Sequence, residues 1–245
     1  MYNPRNNYPY SNNRRNSFGF SSRYQYQTLP YGYEGTQSSS LISKVMGLLA
    51  FSFIFATIGA FVGMAIGLTY GSSIFVALAG LVVLIALNFL IQRPGVNLVL
   101  LYLFTFLEGL SLAPLIGFYQ TYYSTILTQA FLITAITSLG LGVYAWTTKR
   151  DFTRLGDYLF VGLIILLVAG LVGIFFHATV FYLIISVVGV AIFSGYVLVY
   201  VQRAKYMADT TPNAIGLTAS IFITVLNLFL YILQLLTILS GNRRN

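Results

Sequence analysis

The sequence predicts an all-α membrane protein built as a bundle of seven transmembrane helices. Its 245 residues are 58% hydrophobic and 7% charged, whereas soluble domains carry about 25% charged residues. Seven long apolar runs follow Lys44, and none has the strict two-residue alternation of a membrane β-barrel. Helices are the remaining way to cross a bilayer, because every backbone polar group must find a hydrogen-bond partner inside the hydrocarbon region.

The seven runs are separated by short polar or charged breaks. They cover residues 45–70, 73–91, 96–119, 126–147, 158–176, 179–201 and 213–239. Each run is close to or above the roughly 20 residues that a membrane helix needs. We therefore divide the chain into a tail, residues 1–40, and a transmembrane domain, residues 41–245.

The tail has a different composition from the rest of the chain. It is rich in Asn, Tyr, Ser and Arg and has almost no aliphatic residues before Leu29. Such a segment cannot bury enough apolar surface to fold alone. It is either a disordered cytoplasmic tail or an arm that docks on a partner or on anionic lipid, with Arg and Tyr side chains as anchors.

The distribution of basic residues predicts a cytoplasmic amino terminus, because Lys and Arg accumulate on the cytoplasmic side of membrane proteins. Eleven of the thirteen basic residues then lie inside, in the tail and in alternate connections. The exceptions, Arg243 and Arg244, would favour the opposite side for the carboxyl terminus. This pattern explains the net charge of +8 without nucleic acid as a partner. We expect a multi-pass protein of a bacterial inner membrane, with an organelle membrane as the alternative.

Several classes of site are disfavoured by residue counts. The chain has no cysteine and one histidine, and no pair of acids falls within the apolar runs. Disulfides and thiolate metal sites are therefore excluded, and nothing points to a catalytic triad. We expect no enzymatic activity, no bound metal and no cofactor.

The third run carries the residue that stands out most, Glu108, in the segment FTFLEGLSLAPLIGFY at 104–119. An intramembrane carboxylate is costly and usually faces the bundle interior or a wet cavity. Pro114 lacks an N–H and frees the carbonyl of Leu110. Together they predict a functional core. The alternative is a neutral acid that is hydrogen-bonded to a neighbouring helix.

Small residues predict where helices approach closely. The third run has three of them at four-residue spacing: Gly109, Ala113 and Gly117. The first run has a longer series, which we expect to form one continuous packing face: Gly59, Gly63, Gly67 and Gly71.

The seventh run has a stripe of polar residues on one helical face, because their spacing alternates between four and three. The stripe contains Ser220, Thr224, Asn227, Tyr231 and Gln234. It should look inward, since lipid offers it no partners. It either forms a seam of interhelical hydrogen bonds or lines a hydrophilic path.

Four segments resemble the Bax inhibitor-1 family, which comprises the transmembrane Bax-inhibitor-motif proteins and their bacterial relatives. FLEGLSLAPL in the third run looks like the family signature. TTKRDFTRLGDYL at 147–159 is similar to its cytoplasmic loop after the fourth helix. IFSGYVLVY at 192–200 and LNLFLYILQLL at 226–236 resemble its sixth and last helices. The segments occur in the family's order and spacing across residues 40–240.

The resemblance implies a seven-helix bundle whose last helix is central. It also implies pH-sensitive calcium leak and suppression of cell death, and some bacterial members are linked to a membrane-bound AAA protease. In the family, leak is attributed to two aspartates that share a proton. The matching positions here are Val201 and Thr224, so both carboxylates are replaced, while Glu108 matches the third-helix glutamate of the family.

Two functions follow as hypotheses. The first is a cation leak, with calcium as the ion, that lacks the aspartate-pair pH switch. Its ligands would be Glu108, the Leu110 carbonyl, Thr224 and Asn227. The second is a non-transporting modulator of a membrane-bound AAA protease, or an accessory subunit of a larger membrane complex, which would bind through the tail.

Overall fold

Seven α-helices make up the part of the chain that the structure describes. The computed structural model describes residues 36–152, 154–173, 175 and 178–241. The helices are α1 Thr36–Ala65, α2 Tyr70–Leu90, α3 Val96–Tyr122, α4 Ser124–Thr147, α5 Leu155–Gly173, α6 Thr179–Tyr206 and α7 Thr211–Gly241. Each is long and apolar enough to cross a membrane, which confirms the predicted fold class. Tail residues 1–35, His177, Arg243 and Arg244 lie outside the described residues.

The first helix differs from its predicted span at both ends. It begins at Thr36, inside the segment assigned to the tail, and it ends at Ala65 instead of residue 70. The chain turns at Gly67, whose φ of +64° is readily adopted only by glycine. Thr69 then caps α2, because its side chain accepts a hydrogen bond from the Ser72 backbone N–H.

The continuous glycine face predicted for the first run is therefore wrong at its second half. Gly67 lies in the turn and Gly71 lies in α2. Gly59 and Gly63 remain in α1 and pack on α3, as small residues at a close crossing should. A Cβ at Gly59 would overlap the Phe106 carbonyl oxygen, and one at Gly109 would overlap that of Ala56.

The last helix is central, as predicted. Six consecutive residues of α7, Ala214–Ala219, are all buried. Because successive helical residues point about 100° apart, burial of six in a row means that protein covers every side. The helices in contact with α7 are α1, α3, α4 and α6, while α2 packs on α3 and α5 packs on α6.

The outer surface of the bundle is apolar. On α2 the side chain of Phe75 is 74% exposed, and on α5 that of Ile165 is 62% exposed. A monomeric soluble protein rarely exposes large contiguous apolar patches. Lipid is the solvent that this surface suits, so the protein is a multi-pass membrane protein in contact with the bilayer.

Helices α3 and α7 run parallel in a fixed register. The hydroxyls of Tyr119 and Thr237 lie 2.8 Å apart, and the rings of Phe104 and Phe222 meet edge to face with centroids 5.9 Å apart. Both pairs are separated by 118 residues in sequence. Residues of α3 and α7 that share this separation therefore lie at the same depth in the bundle.

The two ends of the bundle differ in charge. The connections α2–α3, α4–α5 and α6–α7 lie at the end that we call the basic end, with Arg93, Lys149, Arg150 and Arg154 in these connections. The connections α1–α2, α3–α4 and α5–α6 lie at the opposite end and contain no Lys or Arg. We call this the neutral end.

Candidate functional site

The carboxylate of Glu108 lies between α3 and α2. Its side chain is half-buried, and a Cβ placed at Gly80 of α2 would lie 3.1 Å from Glu108 Oε1. The glycine therefore makes the space that the carboxylate occupies. Among the described residues, none donates a hydrogen bond to this carboxylate and no cation pairs with it. The hydrogen bond that a purely structural acid would need is thus not made within the described chain.

The carbonyl of Leu110 faces a different helix. A Cβ placed at Gly63 of α1 would lie 3.0 Å from the Leu110 carbonyl oxygen. Helical residues two apart point in different directions, about 200° from each other. The structure therefore directs the Glu108 carboxylate to α2 and the Leu110 oxygen to α1.

Thr224 and Asn227 lie at the depth of Glu108. The α3–α7 register places Glu108 level with Leu226, which lies between these two residues in α7. Thr224 is buried, and its hydroxyl donates to the Ser220 carbonyl at 2.7 Å. Asn227 Nδ2 donates to the Ile223 carbonyl at 2.9 Å. The four predicted ligands thus share a region of the bundle, but their described contacts lie on separate helices.

Three residues of the polar stripe of α7 bond their own helix and make no interhelical hydrogen bond within the described part of the chain. Ser220 donates to Gly216 of its own helix at 2.9 Å, just as Thr224 and Asn227 bond the carbonyls four residues back. Ser, Thr and Asn side chains can satisfy themselves in this way without a second helix. The seam interpretation is therefore wrong for these three residues.

The other two residues of the stripe have separate roles. The ring of Tyr231 stacks on Phe193 of α6 at 5.6 Å and covers Gly189, where an added Cβ would lie 2.5 Å from the ring. Gln234 lines a cleft near the neutral end. Along this face of α7, the hydroxyls of Ser220 and Thr224 therefore bond their own helix, Tyr231 packs on an aromatic ring, and Gln234 forms part of a cleft wall.

The cleft is a feature that sequence reasoning missed apart from Gln234. Its volume is about 490 Å³, and it lies between α3, α6 and α7. Its walls are formed by Leu115, Tyr119, Thr179, Tyr182, Leu230, Leu233, Gln234, Thr237 and Ile238. No sequence pattern within a single helix predicts the cleft, because it is formed where three helices meet.

Comparison with known proteins identifies the family. The family model described as "Inhibitor of apoptosis-promoting Bax1" matches residues 38–241. The chain belongs to the Bax inhibitor-1 family. The match covers all seven helices, which confirms the resemblance seen in the four sequence segments.

Relatives of this Bax inhibitor-1 family chain come from bacteria, animals and a virus. An "Uncharacterized membrane protein" of Vibrio cholerae is 34% identical over 84% of this chain and 92% of its own length. "Protein lifeguard 4" of Mus musculus is 34% identical over 65% of this chain and 66% of its own. The "Golgi anti-apoptotic protein" of Vaccinia virus strain Lister is 32% identical over 81% and 85%.

The two positions matched to the family's aspartates carry no titratable group here. A Cβ placed at Gly142 of α4 would lie 3.9 Å from Val201 Cγ2, so Val201 faces α4. Thr224 is buried and bonded to its own helix. Within the described residues, no group of three His, Asp or Glu side chains is placed to hold a metal ion.

The basic end is closed by contacts between distant segments. Lys44 Nζ of α1 donates to Asp209 Oδ1, in the α6–α7 connection, at 2.9 Å. This hydrogen bond lowers the pKa of the Asp209 carboxyl below its ordinary value. A depressed folded-state pKa means that the ion pair contributes its stability above the carboxyl's ordinary pKa and loses it as the pH falls through the depressed value.

A second contact at the basic end holds the α4–α5 connection. Gln202 of α6 is buried. Its Nε2 donates to the Arg150 carbonyl at 2.5 Å, and its Oε1 accepts from the Phe152 N–H at 2.6 Å. One side chain therefore satisfies two backbone groups of a connection that has no helix of its own.

Proposed function

We propose that this Bax inhibitor-1 family protein is a cation leak channel, with calcium as the ion, that lacks the aspartate-pair pH switch of its family. One observation carries the proposal. The half-buried Glu108 carboxylate lies far from both ends of α3, opposite Gly80, with no partner among the described residues. An intramembrane carboxylate without a protein partner is a functional-site hypothesis by default, because keeping it there costs free energy.

A slow leak fits this site better than tight binding. Calcium takes six to eight oxygen ligands, several of them often carboxylates. Glu108 supplies one carboxylate at this depth, and Thr224 and Asn227 of α7 supply neutral oxygens. The Leu110 carbonyl faces α1, so it would become a calcium ligand only after the helices shift. A weak site of this kind lets an ion leave as readily as it binds.

Flux in proteoliposomes tests the role of Glu108. Full-length protein with Glu108→Gln keeps the shape of the side chain and removes its charge. We expect calcium flux to fall about tenfold, which corresponds to roughly 1.4 kcal/mol at the barrier. Asp157→Asn is the matched control, since Asp157 is an exposed acid in the first turn of α5, and it should leave flux unchanged. Equal flux in native protein and the Glu108→Gln variant would remove Glu108 from the mechanism.

The pH profile tests the missing switch in the same assay. The double variant Val201→Asp, Thr224→Asp puts carboxylates back at the positions of the family pair. Like charges at short range raise one pKa of a pair, so the double variant should show a further pH-dependent step in addition to the titration of the single carboxylate of Glu108. A pH profile of flux that is the same in native protein and in the double variant would contradict the proposal.

A second candidate function is a non-transporting modulator of a membrane-bound AAA protease, or an accessory subunit of a larger membrane complex. The absence of both family aspartates and the composition of the tail favour it. The tail precedes α1, whose Lys44 is tied to Asp209 at the basic end. A pull-down from mild detergent with full-length protein and with residues 1–35 deleted tests it. A partner that is lost with the tail supports the idea, and no partner in either case contradicts it.

Neither candidate involves enzymatic chemistry, and we propose that the protein is not an enzyme. We also propose a cytoplasmic amino terminus and a bacterial inner membrane, with an organelle membrane as the alternative. The excess of Lys and Arg at the basic end supports this orientation.

A further inference from the structure

The cleft between α3, α6 and α7 begins close to the neutral end and reaches into the bundle. Thr237 lies four residues before the end of α7 at Gly241, and Leu230 lies eleven residues before it. At 1.5 Å per helical residue, these positions are about 6 and 16 Å from the helix end. The cleft therefore extends from near the end of α7 into the part of the bundle whose outer surface is apolar.

The packing of α1 explains why the space is there. At the basic end, Leu41 and Val45 of α1 share a core cluster with Ala204 of α6 and with Met207, which follows that helix. In its other half α1 packs on α3, where an added Cβ at Gly63 would overlap Ala113, and its described contacts with α6 are not continued. Near the neutral end, the space between α3, α6 and α7 is the cleft.

The lining changes from apolar to polar along the depth of the cleft. Its inner part is formed by Leu115, Leu230 and Leu233. The part nearest the neutral end carries hydroxyl groups, from Tyr119, Thr179, Tyr182 and Thr237. An apolar floor under a polar rim is complementary to an amphiphile that enters from the bilayer with its head at the surface.

The hydrogen bonds at the rim determine what kind of head it can hold. The Thr237 hydroxyl donates to the Leu233 carbonyl at 2.7 Å, so its one proton is used. In the 2.8 Å contact between the two hydroxyls, Tyr119 must therefore be the donor. Tyr182 donates to the Gly173 carbonyl at 2.6 Å. Both phenol protons are thus engaged, and both phenol oxygens keep lone pairs that can accept.

Gln234 adds an unsatisfied amide to the wall of the cleft. It is half-buried, and it makes no hydrogen bond with any described residue. Its N–H groups and its carbonyl oxygen are therefore free, and a ligand hydroxyl can both accept from and donate to the same amide. The rim therefore favours a head that carries hydroxyl groups.

Charge excludes other ligands. None of the nine lining side chains is ionised at neutral pH. A phosphate head would find no Lys or Arg, and a metal cation would find no carboxylate. The volume of about 490 Å³ lies within the range of small-molecule sites, about 300–1,000 Å³.

We propose that the cleft binds a neutral lipid with one acyl chain and free hydroxyls, a monoacylglycerol, drawn from the surrounding bilayer. The hydroxyls donate to the oxygens of Tyr119 and Tyr182 and bond the Gln234 amide, and the acyl chain lies along the three leucines. This site is separate from Glu108, which does not line the cleft. The proposal that this cleft binds a lipid does not depend on whether the protein conducts ions.

Photolabelling of the full-length protein in detergent tests the proposal. The probe is a monoacylglycerol with a diazirine in its acyl chain, and the labelled residues are mapped by mass spectrometry. We expect label on residues 115–119 and 230–238. Excess unlabelled monoacylglycerol should compete at least about tenfold better than the methyl ester of the same fatty acid, which has no donor, a difference of roughly 1.4 kcal/mol.

Variants separate the cleft from the general lipid-facing surface. Gln234→Leu and Tyr119→Phe remove the polar contacts with little change in volume and should reduce labelling about tenfold, by the same conversion. Leu167→Trp is the control, because Leu167 is an exposed residue of α5, and it should leave labelling unchanged. Label spread evenly over the outer surface, equal competition by the methyl ester, or unchanged labelling in both cleft variants would each overturn the proposal.

Discussion

At the level of single residues, glycines decide where the helices meet. Gly109 and Gly117 lie on the same face of α3, eight residues apart, yet their surroundings differ. A Cβ at Gly109 would overlap the Ala56 backbone, whereas one at Gly117 would meet the flexible side chain of Met64 at 3.6 Å. The sequence predicted both as packing positions, but spacing alone cannot tell a backbone neighbour from a side-chain neighbour.

This difference predicts opposite outcomes for one substitution. Gly109→Ala should destabilise the bundle by about 1–3 kcal/mol, because overpacking against a backbone forces the helices apart. Gly117→Ala should be neutral or stabilising by up to about 1 kcal/mol, since alanine favours the helix. Thermal unfolding in one detergent, followed by circular dichroism, compares the two. Equal melting temperatures would show that α1 and α3 do not cross this closely.

The surroundings of Glu108 show a second limit on what single residues reveal. The residue stood out in the sequence because it is the one acid inside a long apolar run. That its carboxylate would face Gly80 could not be predicted, since this depends on the relative rotation of α2 and α3. The replaced aspartates were visible in the sequence through the family resemblance, because that comparison works position by position.

At the level of elements, runs of apolar residues predicted all seven helices but misplaced some of their ends, most clearly the end of the first. Residues 66–70 are as apolar as the helices that flank them, so the prediction extended the first helix to Tyr70. The break comes from the left-handed Gly67 and the Thr69 cap. Periodicity in α7 likewise placed five polar residues on one face, but it could not predict their bonding partners, because Ser, Thr and Asn can bond their own helix.

The α4–α5 connection supplies the prediction at this scale. Gln202→Leu removes the partners of the Arg150 carbonyl and the Phe152 N–H. Each backbone group left buried without a partner costs about 1–3 kcal/mol, so the connection should detach from α6 to reach water. Trypsin should then cleave after Lys149 or Arg150 faster than in native protein, as measured by the appearance of two fragments.

A matched control tests whether the faster cleavage is specific to the Gln202 substitution. Gln120→Leu changes an exposed glutamine near the end of α3, at the neutral end, and cleavage at the basic end should keep its native rate. Identical cleavage in all three proteins would mean that the side chain of Gln202 does not hold the connection.

At the level of the whole molecule, the sequence separates the two ends of the bundle by charge, and the proposed orientation follows from that separation. The cleft is the feature that the sequence could least predict. It depends on α1 leaving α6 for α3, which no local pattern encodes. The central position of α7 was expected from the family resemblance, and the burial of six consecutive residues, Ala214–Ala219, confirms that expectation.

The orientation can be tested directly because the chain has no cysteine to interfere. Single variants Gln120→Cys, at the neutral end, and Lys149→Cys, at the basic end, are exposed to an impermeant maleimide in intact bacterial cells. We expect Gln120→Cys to react at once and Lys149→Cys to react only after the membrane is permeabilised. The reverse order would place the amino terminus outside the cytoplasm.

The central place of α7 has a consequence for how the protein is made. Synthesis proceeds from the amino terminus, so α1 to α6 leave the ribosome before α7, which four of them contact. Until Thr211–Gly241 follows, the inner faces of α1, α3, α4 and α6 lack the partner that buries them. Those helices must then remain mobile enough in the membrane to admit a seventh. Assembly of this bundle is therefore completed only when α7 is inserted. A ribosome that stalls before α7 leaves the earlier helices without the helix that their inner faces bury.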